Sequence, residues 1–163
     1  MKKDKYVAYV STYTSGMSDD SHGIKIYDVD MENGRFIEKD QVEITNSSYV
    51  TISHNSRYLY SITDFGVEAY KIEEDGSLTV INQGSINGMR GCYLSTDYED
   101  KFLFVAGYHD GKITVLRLRE DGGVGEITDE IFHNRYSLHS RRLGRAGTLR
   151  PGVRCLRRTL QLD

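Results

Sequence analysis

Three histidines, His109, His133 and His139, and three arginines, Arg90, Arg142 and Arg150, are the side chains of this 163-residue chain best suited to chemistry on a polar substrate. Imidazole exchanges a proton near neutral pH and can activate a water. Guanidinium presents a fixed fork of donors to an anionic oxygen. Taken singly, each reads more simply as an exposed, solvated loop residue. Asp64, Asp97 and Asp110 end or follow apolar runs, where Asp commonly closes a turn on nearby backbone N–H groups. The sequence has no G-x-S-x-G elbow, H-E-x-x-H pair, P-loop or complete G-x-G-x-x-G. Gly122-Gly123-Val124-Gly125 reads as a hairpin turn, since no helix follows to receive a phosphate. Cys92 and Cys155 are too few and too far apart for a disulfide framework or a four-thiolate zinc site, so a reducing cytoplasm is the default compartment.

The elements that must position these groups repeat. Arg57–Ile62 (RYLYSI) returns 44 positions later as Lys101–Ala106 (KFLFVA), and Lys5–Val10 (KYVAYV) is a third copy. A Gly-containing turn follows each copy, then a second alternating run: 23–29, 66–72 and 111–118. Polar turns ending in Gly34, Gly76 and Gly122 lead to further runs at 36–44, 78–83 and 126–132. Shorter runs at 49–53 and 92–96 precede the second and third copies. Period-two alternation rich in Tyr, Val, Ile and Phe predicts strands. Turns of Gly, Asn and Asp between them predict antiparallel hairpins.

With the strands of a unit named a to d, the chain reads b-c-d, a-b-c-d, a-b-c-d. An all-β chain results, an incomplete β-propeller of about three four-stranded antiparallel blades, the first lacking one strand. A sandwich is the plainer alternative, but its strands need not repeat. The pattern covers fewer blades than the four to eight of a closed ring. In this reading 90 lies in a d-to-a connection and 109 in a b-to-c turn.

Charge divides the chain at the same place. Residues 1–133 carry 13 Lys and Arg against 23 Asp and Glu, a net −10, whereas residues 134–163 carry eight Arg, no Lys and one acid, a net +7. The expected domains are a partial propeller over 1–133 and an Arg-rich, irregular basic tail over 134–163. The tail reads as disordered or frame-shifted, with a variant terminus and a genuine Arg-rich extension also open. Eight Arg attract phosphate, yet with one aromatic, Tyr136, and no recognised module, no specific nucleic-acid partner is expected. No run of about 18 apolar residues exists to span a membrane.

Three stretches resemble the seven-bladed propeller lactonases, a family represented by bacterial 6-phosphogluconolactonase. Tyr13-Thr14-Ser15-Gly16 followed by Gly23-Ile24-Lys25-Ile26-Tyr27 resembles the family's opening hairpin. Residues 53–60 (SHNSRYLY) resemble its "SPDGRYLY" turn and strand, and 92–115 resemble "CHVSVD…RYLFVANYGGGSVTV". The resemblance covers about residues 5–133, the front of a chain more than twice this length. Departures are Gly91-Cys92-Tyr93-Leu94 for "PCHV" and Ala106-Gly107-Tyr108 for "ANY". The family's next connection carries an Arg and a "PH-x-H" element. Phe132-His133 fits it, Ser137-Leu138-His139 and Arg141-Arg142 fit loosely, and Leu149-Arg150-Pro151-Gly152-Val153 is similar to "RPHV" with Gly152 in the histidine's place.

The resemblance implies hydrolysis of 6-phospho-D-glucono-1,5-lactone to 6-phosphogluconate in the pentose phosphate pathway, on a truncated chain and with no metal or organic cofactor. Carboxy-muconate-type lactone chemistry on the same scaffold is a related option. Lactone hydrolysis needs an activated water, an oxyanion stabiliser and here a cation for the sugar phosphate. His139, Arg142 and Arg150 are the catalytic candidates, Arg90 and His109 the substrate-binding ones. The alternative from another class is a non-catalytic propeller fragment that binds partners or self-associates through open blade edges.

Overall fold

In a computed structural model the described residues, 6–14 and 23–133, form eleven strands and no helix. They are β1 (Tyr6–Ser11), β2 (Ile24–Asp30), β3 (Arg35–Val42), β4 (Val50–Ile52), β5 (Tyr58–Thr63), β6 (Gly66–Ile72), β7 (Leu78–Gly84), β8 (Tyr93–Thr96), β9 (Phe102–Gly107), β10 (Lys112–Leu118) and β11 (Val124–Phe132). Three antiparallel sheets result, ordered β1-β2-β3, β4-β5-β6-β7 and β8-β9-β10-β11. These are three blades of an incomplete propeller, the first without its innermost strand. The basic segment 134–163 lies outside the described residues.

Sheet faces stack from blade to blade because alternate residues of each strand point to opposite sides. Tyr58, Tyr60, Ile62, Val67 and Ala69 of blade two's front face pack against Leu94, Leu103, Val105, Leu116 and Val124 of blade three's back face. Leu59 and Tyr70 on blade two's back face pack against Ile24 and Ile44 of blade one and the connection leaving it. Tyr60 and Tyr70 are both fully buried.

The two interfaces repeat one device. The Tyr60 hydroxyl donates to the Gly122 carbonyl at 3.0 Å, and the Tyr9 hydroxyl donates to the Gly76 carbonyl at 2.8 Å. Both glycines turn a c–d hairpin with φ of +81° and +87°, a left-handed conformation that favours glycine. Tyr58 packs against Gly122, and Val7 packs against Gly76. Val7 and Tyr9 therefore stand where Tyr58 and Tyr60 do. The first copy of the repeat sits one residue away from the alignment of Lys5–Val10 with Arg57–Ile62. A shift of one residue exchanges the two faces of a strand, so only the stacked blades fix it.

Four phenols, on Tyr9, Tyr49, Tyr60 and Tyr70, are held above the ordinary tyrosine value of 10.0, chiefly by burial. A folded-state value above the unfolded one contributes stability that is intact below the unfolded value and is lost as pH rises through the folded one. The urea midpoint is therefore expected to stay level to about pH 9.5 and to fall beyond about pH 10. Tyrosinate absorbance from the buried rings should appear together with unfolding. Ionisation of every tyrosine in the folded protein near pH 10 would contradict this.

Candidate functional site

One end of the blades gathers the b–c turns and the d–a connections, and with them every candidate that falls within the described residues. Each connection starts on a buried isoleucine, Ile44 or Ile86, and then places an asparagine in the left-handed region, Asn46 at φ 47° and Asn87 at φ 50°. Asn tolerates that region better than most residues because its short amide bonds locally.

Asn46 joins three segments. Its side-chain oxygen accepts the Thr14 N–H at 3.0 Å, and its amide nitrogen donates to Asp64 Oδ2 at 2.8 Å. Asp64 Oδ1 accepts Arg90 Nη1 at 2.9 Å, and the guanidinium lies 5.1 Å from the centre of the Tyr13 ring. Blade one, blade two and the connection into blade three thus meet in one polar network. Arg90 is not a freely solvated loop residue; it is a half-buried cation held by a carboxylate and an aromatic face. Asp64 bridges blades instead of closing its own turn. Asp97 does close its turn, accepting the Lys101 and Phe102 N–H groups at 2.7 and 2.8 Å.

The connection carrying Arg90 is fastened to blade three. Asp110 Oδ2 accepts the Met89 N–H at 3.0 Å. Lys112 Nζ donates to the Ile86 and Asn87 carbonyls at 2.6 and 3.0 Å and to Glu130 Oε1 at 2.6 Å. The Lys112 side chain is 3% exposed and that of Glu130 32%. The Lys112 charge is not available to a ligand, since a buried ammonium in this setting is consumed by its three acceptors.

His109 is exposed beside Asp110, with Tyr108 edge-on to it at 5.4 Å. His133, also exposed, donates its backbone N–H to the Gly111 carbonyl at 2.8 Å. Both histidines therefore flank the b–c turn of blade three, and Asp110 ties that turn to the Arg90 connection. His139, Arg142 and Arg150 lie outside the described residues.

The innermost strands add groups that residue-type reasoning passed over. Tyr49 and Tyr93 hold the same register position, since Val50 pairs with Ser61 as Leu94 pairs with Val105. Their rings lie 4.8 Å apart at the mouth end of neighbouring strands. Burial first, then the adjacent Tyr93, keeps the Tyr49 phenol above its usual range. The free, exposed Cys92 precedes Tyr93, and the Ser48 hydroxyl reaches the Gly91 carbonyl at 3.3 Å. The runs at 49–53 and 92–96 were set one residue out of this register, although the 44-residue offset of the neighbouring strands carries Tyr49 onto Tyr93; nothing local marked Asn46. Among the described residues no group of three His, Cys, Asp or Glu is placed to hold a metal ion.

A cation fixed by Asp64, two exposed histidines and paired aromatic rings at one mouth suit a small, polar, oxygen-rich ligand. Residues 7–146 match the lactonase, 7-bladed beta-propeller family, to which this chain belongs. That match runs past His133 into the Arg-rich stretch. The 6-phosphogluconolactonase of Bacillus subtilis is 36% identical over 143 residues, 84% of this chain and 40% of that protein. The 6-phosphogluconolactonase of Formosa agariphila is 31% identical over 118 residues, 68% of this chain and 33% of that one. Among solved structures, a candidate 6-phosphogluconolactonase of Bacteroides fragilis superposes with a TM-score of 0.74 at 28% identity, covering 86% of this chain and 40% of that one. The periplasmic gluconolactonase of Pseudomonas aeruginosa gives 0.74 at 26%, covering 85% and 41%. The chain thus spans about two fifths of the length of these relatives.

Proposed function

We propose that this chain is the front part of a sugar-lactone hydrolase acting on 6-phospho-D-glucono-1,5-lactone. The observation that carries the reading is the family match over 7–146, joined to a 36% identical relative named for that activity. In the reaction a water adds to the lactone carbonyl, the ring C–O bond breaks and 6-phosphogluconate is released. A histidine accepts the proton of the attacking water, and His139 is the proposed base. Arg142 and Arg150 are proposed to stabilise the developing oxyanion.

Arg90 and His109 are proposed to hold the sugar phosphate. Asp64 offsets part of the Arg90 charge, so Arg90 orients an anion more than it attracts one from afar. Tyr49 and Tyr93 supply faces on which a sugar ring can stack. The domain boundary near 133 and a cytoplasmic setting are part of the same proposal. The two cysteines of the sequence support a reducing compartment, although one structural neighbour is periplasmic.

The test joins the whole 163-residue chain, with His139, Arg142 and Arg150, to the later blades of the Bacillus subtilis relative and measures lactone hydrolysis. The 163-residue chain alone is expected to be inactive and the joined chain active. In the joined chain Arg90→Met should lower kcat/KM about tenfold, the loss of one charged hydrogen bond. Unphosphorylated gluconolactone, assayed in parallel, separates the two activities named among the relatives. A folded joined chain inactive on both lactones would remove the reading's support.

A further inference from the structure

Asparagine followed by glycine occurs twice in the chain, as Asn33-Gly34 and Asn87-Gly88. In such a pair the glycine nitrogen can attack the asparagine side-chain carbonyl, because no side chain on the glycine hinders the approach. The two pairs sit in opposite surroundings. Asn33 turns the β2–β3 hairpin, where the Asp30 carboxylate accepts its backbone N–H at 3.2 Å and its side-chain amide at 2.8 Å. Asn87 lies in the connection between blades two and three, both of them described, and there a cation takes the place of the carboxylate.

Lys112 Nζ donates to the Asn87 backbone carbonyl at 3.0 Å. That carbonyl belongs to the same peptide group as the Gly88 nitrogen. The ammonium therefore touches the oxygen on which negative charge develops when the Gly88 N–H loses its proton. On the electrophile, the Ser85 hydroxyl donates to Asn87 Oδ1 at 3.3 Å, and this is the oxygen that becomes the oxyanion after attack. Among the described residues the Gly88 N–H has no hydrogen-bond partner. Two carboxylates lie nearby, but Asp110 Oδ2 accepts the Met89 N–H and Glu130 Oε1 accepts Lys112 Nζ. The glycine is itself demanded by the packing. A Cβ at residue 88 would stand 2.6 Å from Asp110 Oδ2 and 3.1 Å from Lys112 Cε, the two side chains that fasten the connection.

We propose that Asn87 is a site of spontaneous deamidation promoted by Lys112 and Ser85. Hydroxide from the solvent removes the Gly88 N–H proton, and the nitrogen bonds to Asn87 Cγ. The Cγ–Nδ2 bond then breaks, and Nδ2 takes a proton from water and leaves as ammonia. Water opens the resulting cyclic imide at either carbonyl, giving aspartate or isoaspartate at 87. No electron is transferred and no cofactor takes part. The change sets a carboxylate three positions before Arg90, and in the isoaspartate form it also lengthens the backbone of the connection by one carbon.

The test incubates the 163-residue chain in mildly alkaline buffer and follows both asparagines by peptide mass, with isoaspartate read by enzymatic methylation. Asn87 is expected to convert faster than Asn33. Lys112→Met should slow Asn87 about tenfold, the loss of one charged hydrogen bond, and Ser85→Ala about threefold, the loss of a neutral one. Asn33 should keep its wild-type rate in both variants. Each substitution loosens the connection, so if mobility governed the reaction both would hasten it. A wild-type chain in which Asn33 converts as fast as Asn87 would overturn the proposal. So would an Asn87 rate unchanged or raised in folded Lys112→Met, or in Ser85→Ala, whose exposed position leaves the fold intact.

Discussion

Replacing Glu130 by leucine is expected to destabilise the protein by about 3 kcal/mol, more than replacing its partner Lys112 by methionine, at about 2 kcal/mol. The asymmetry follows from where each charge sits. Lys112 is 3% exposed on its side chain and Glu130 is 32% exposed. Without Glu130, a buried ammonium keeps the Ile86 and Asn87 carbonyls and the Phe132 ring 5.6 Å away, none of which carries a net charge to balance it. Without Lys112, water still reaches the Glu130 carboxylate, and the principal loss is the donor to two carbonyls. The double replacement should cost less than the sum of the singles, because an apolar pair leaves no stranded charge. Urea unfolding of the four proteins measures this. A Glu130→Leu variant within about 0.5 kcal/mol of wild type would show that the ammonium is solvated after all. Hydrogen exchange adds a local readout: the Met89 N–H, bonded to Asp110 in the connection that Lys112 fastens, should exchange faster in Lys112→Met.

A second large effect is expected at the hairpin glycines, where the same substitution should give different costs. Gly122 and Gly34 both adopt left-handed φ, at +81° and +63°. Any L side chain there is strained by about 1–2 kcal/mol. At Gly34 that is the whole cost, since among the described residues a Cβ meets nothing within 4 Å. At Gly122 the new Cβ would also collide with the ring of Tyr58, which is itself packed in the core between blades two and three. Displacing that ring adds overpacking of about 1–3 kcal/mol and strains the Tyr60 bond to the Gly122 carbonyl. Gly122→Ala is thus expected to be destabilising by about 3 kcal/mol and Gly34→Ala by about 1 kcal/mol. Equal losses at the two sites, measured by urea unfolding of the isolated chain, would mean that the blade contact contributes nothing at Gly122.

The strands were legible in the sequence because a half-buried sheet writes its alternation into every second residue. Eleven runs were expected and the described residues form eleven strands, with ends differing by one to a few residues, as at Glu126 against Val124. Glycine and acidic residues marked the hairpins because left-handed turns restrict which residues can occupy them. The repeat, and through it the family, followed from the same local signals. Residues 90 and 109 could be placed on loops at one end by strand order alone.

The rest depended on which blades meet. Alternation states that a strand has two faces but not which one looks forward, so the first copy of the repeat was aligned one residue away from its true position. Val7 over Gly76 and the Tyr9 bond to that turn decide it, and both are contacts between residues nearly 70 apart in the chain. Asn46 sits in a run of small polar residues with no local mark of its role, and its bonds to Thr14 and Asp64 exist only once the first two blades are stacked. Arg90 reads as one more exposed arginine until Asp64 and Tyr13 arrive from the preceding blades. Lys112 opens a strand, where a lysine is ordinarily solvated; packing beneath the preceding connection makes it a buried anchor. Short-range physics, acting through side-chain period and turn conformation, thus determined the elements and the family. Partners distant in sequence, brought together by face-to-face stacking, decided the register and the environment of every charge at the candidate site.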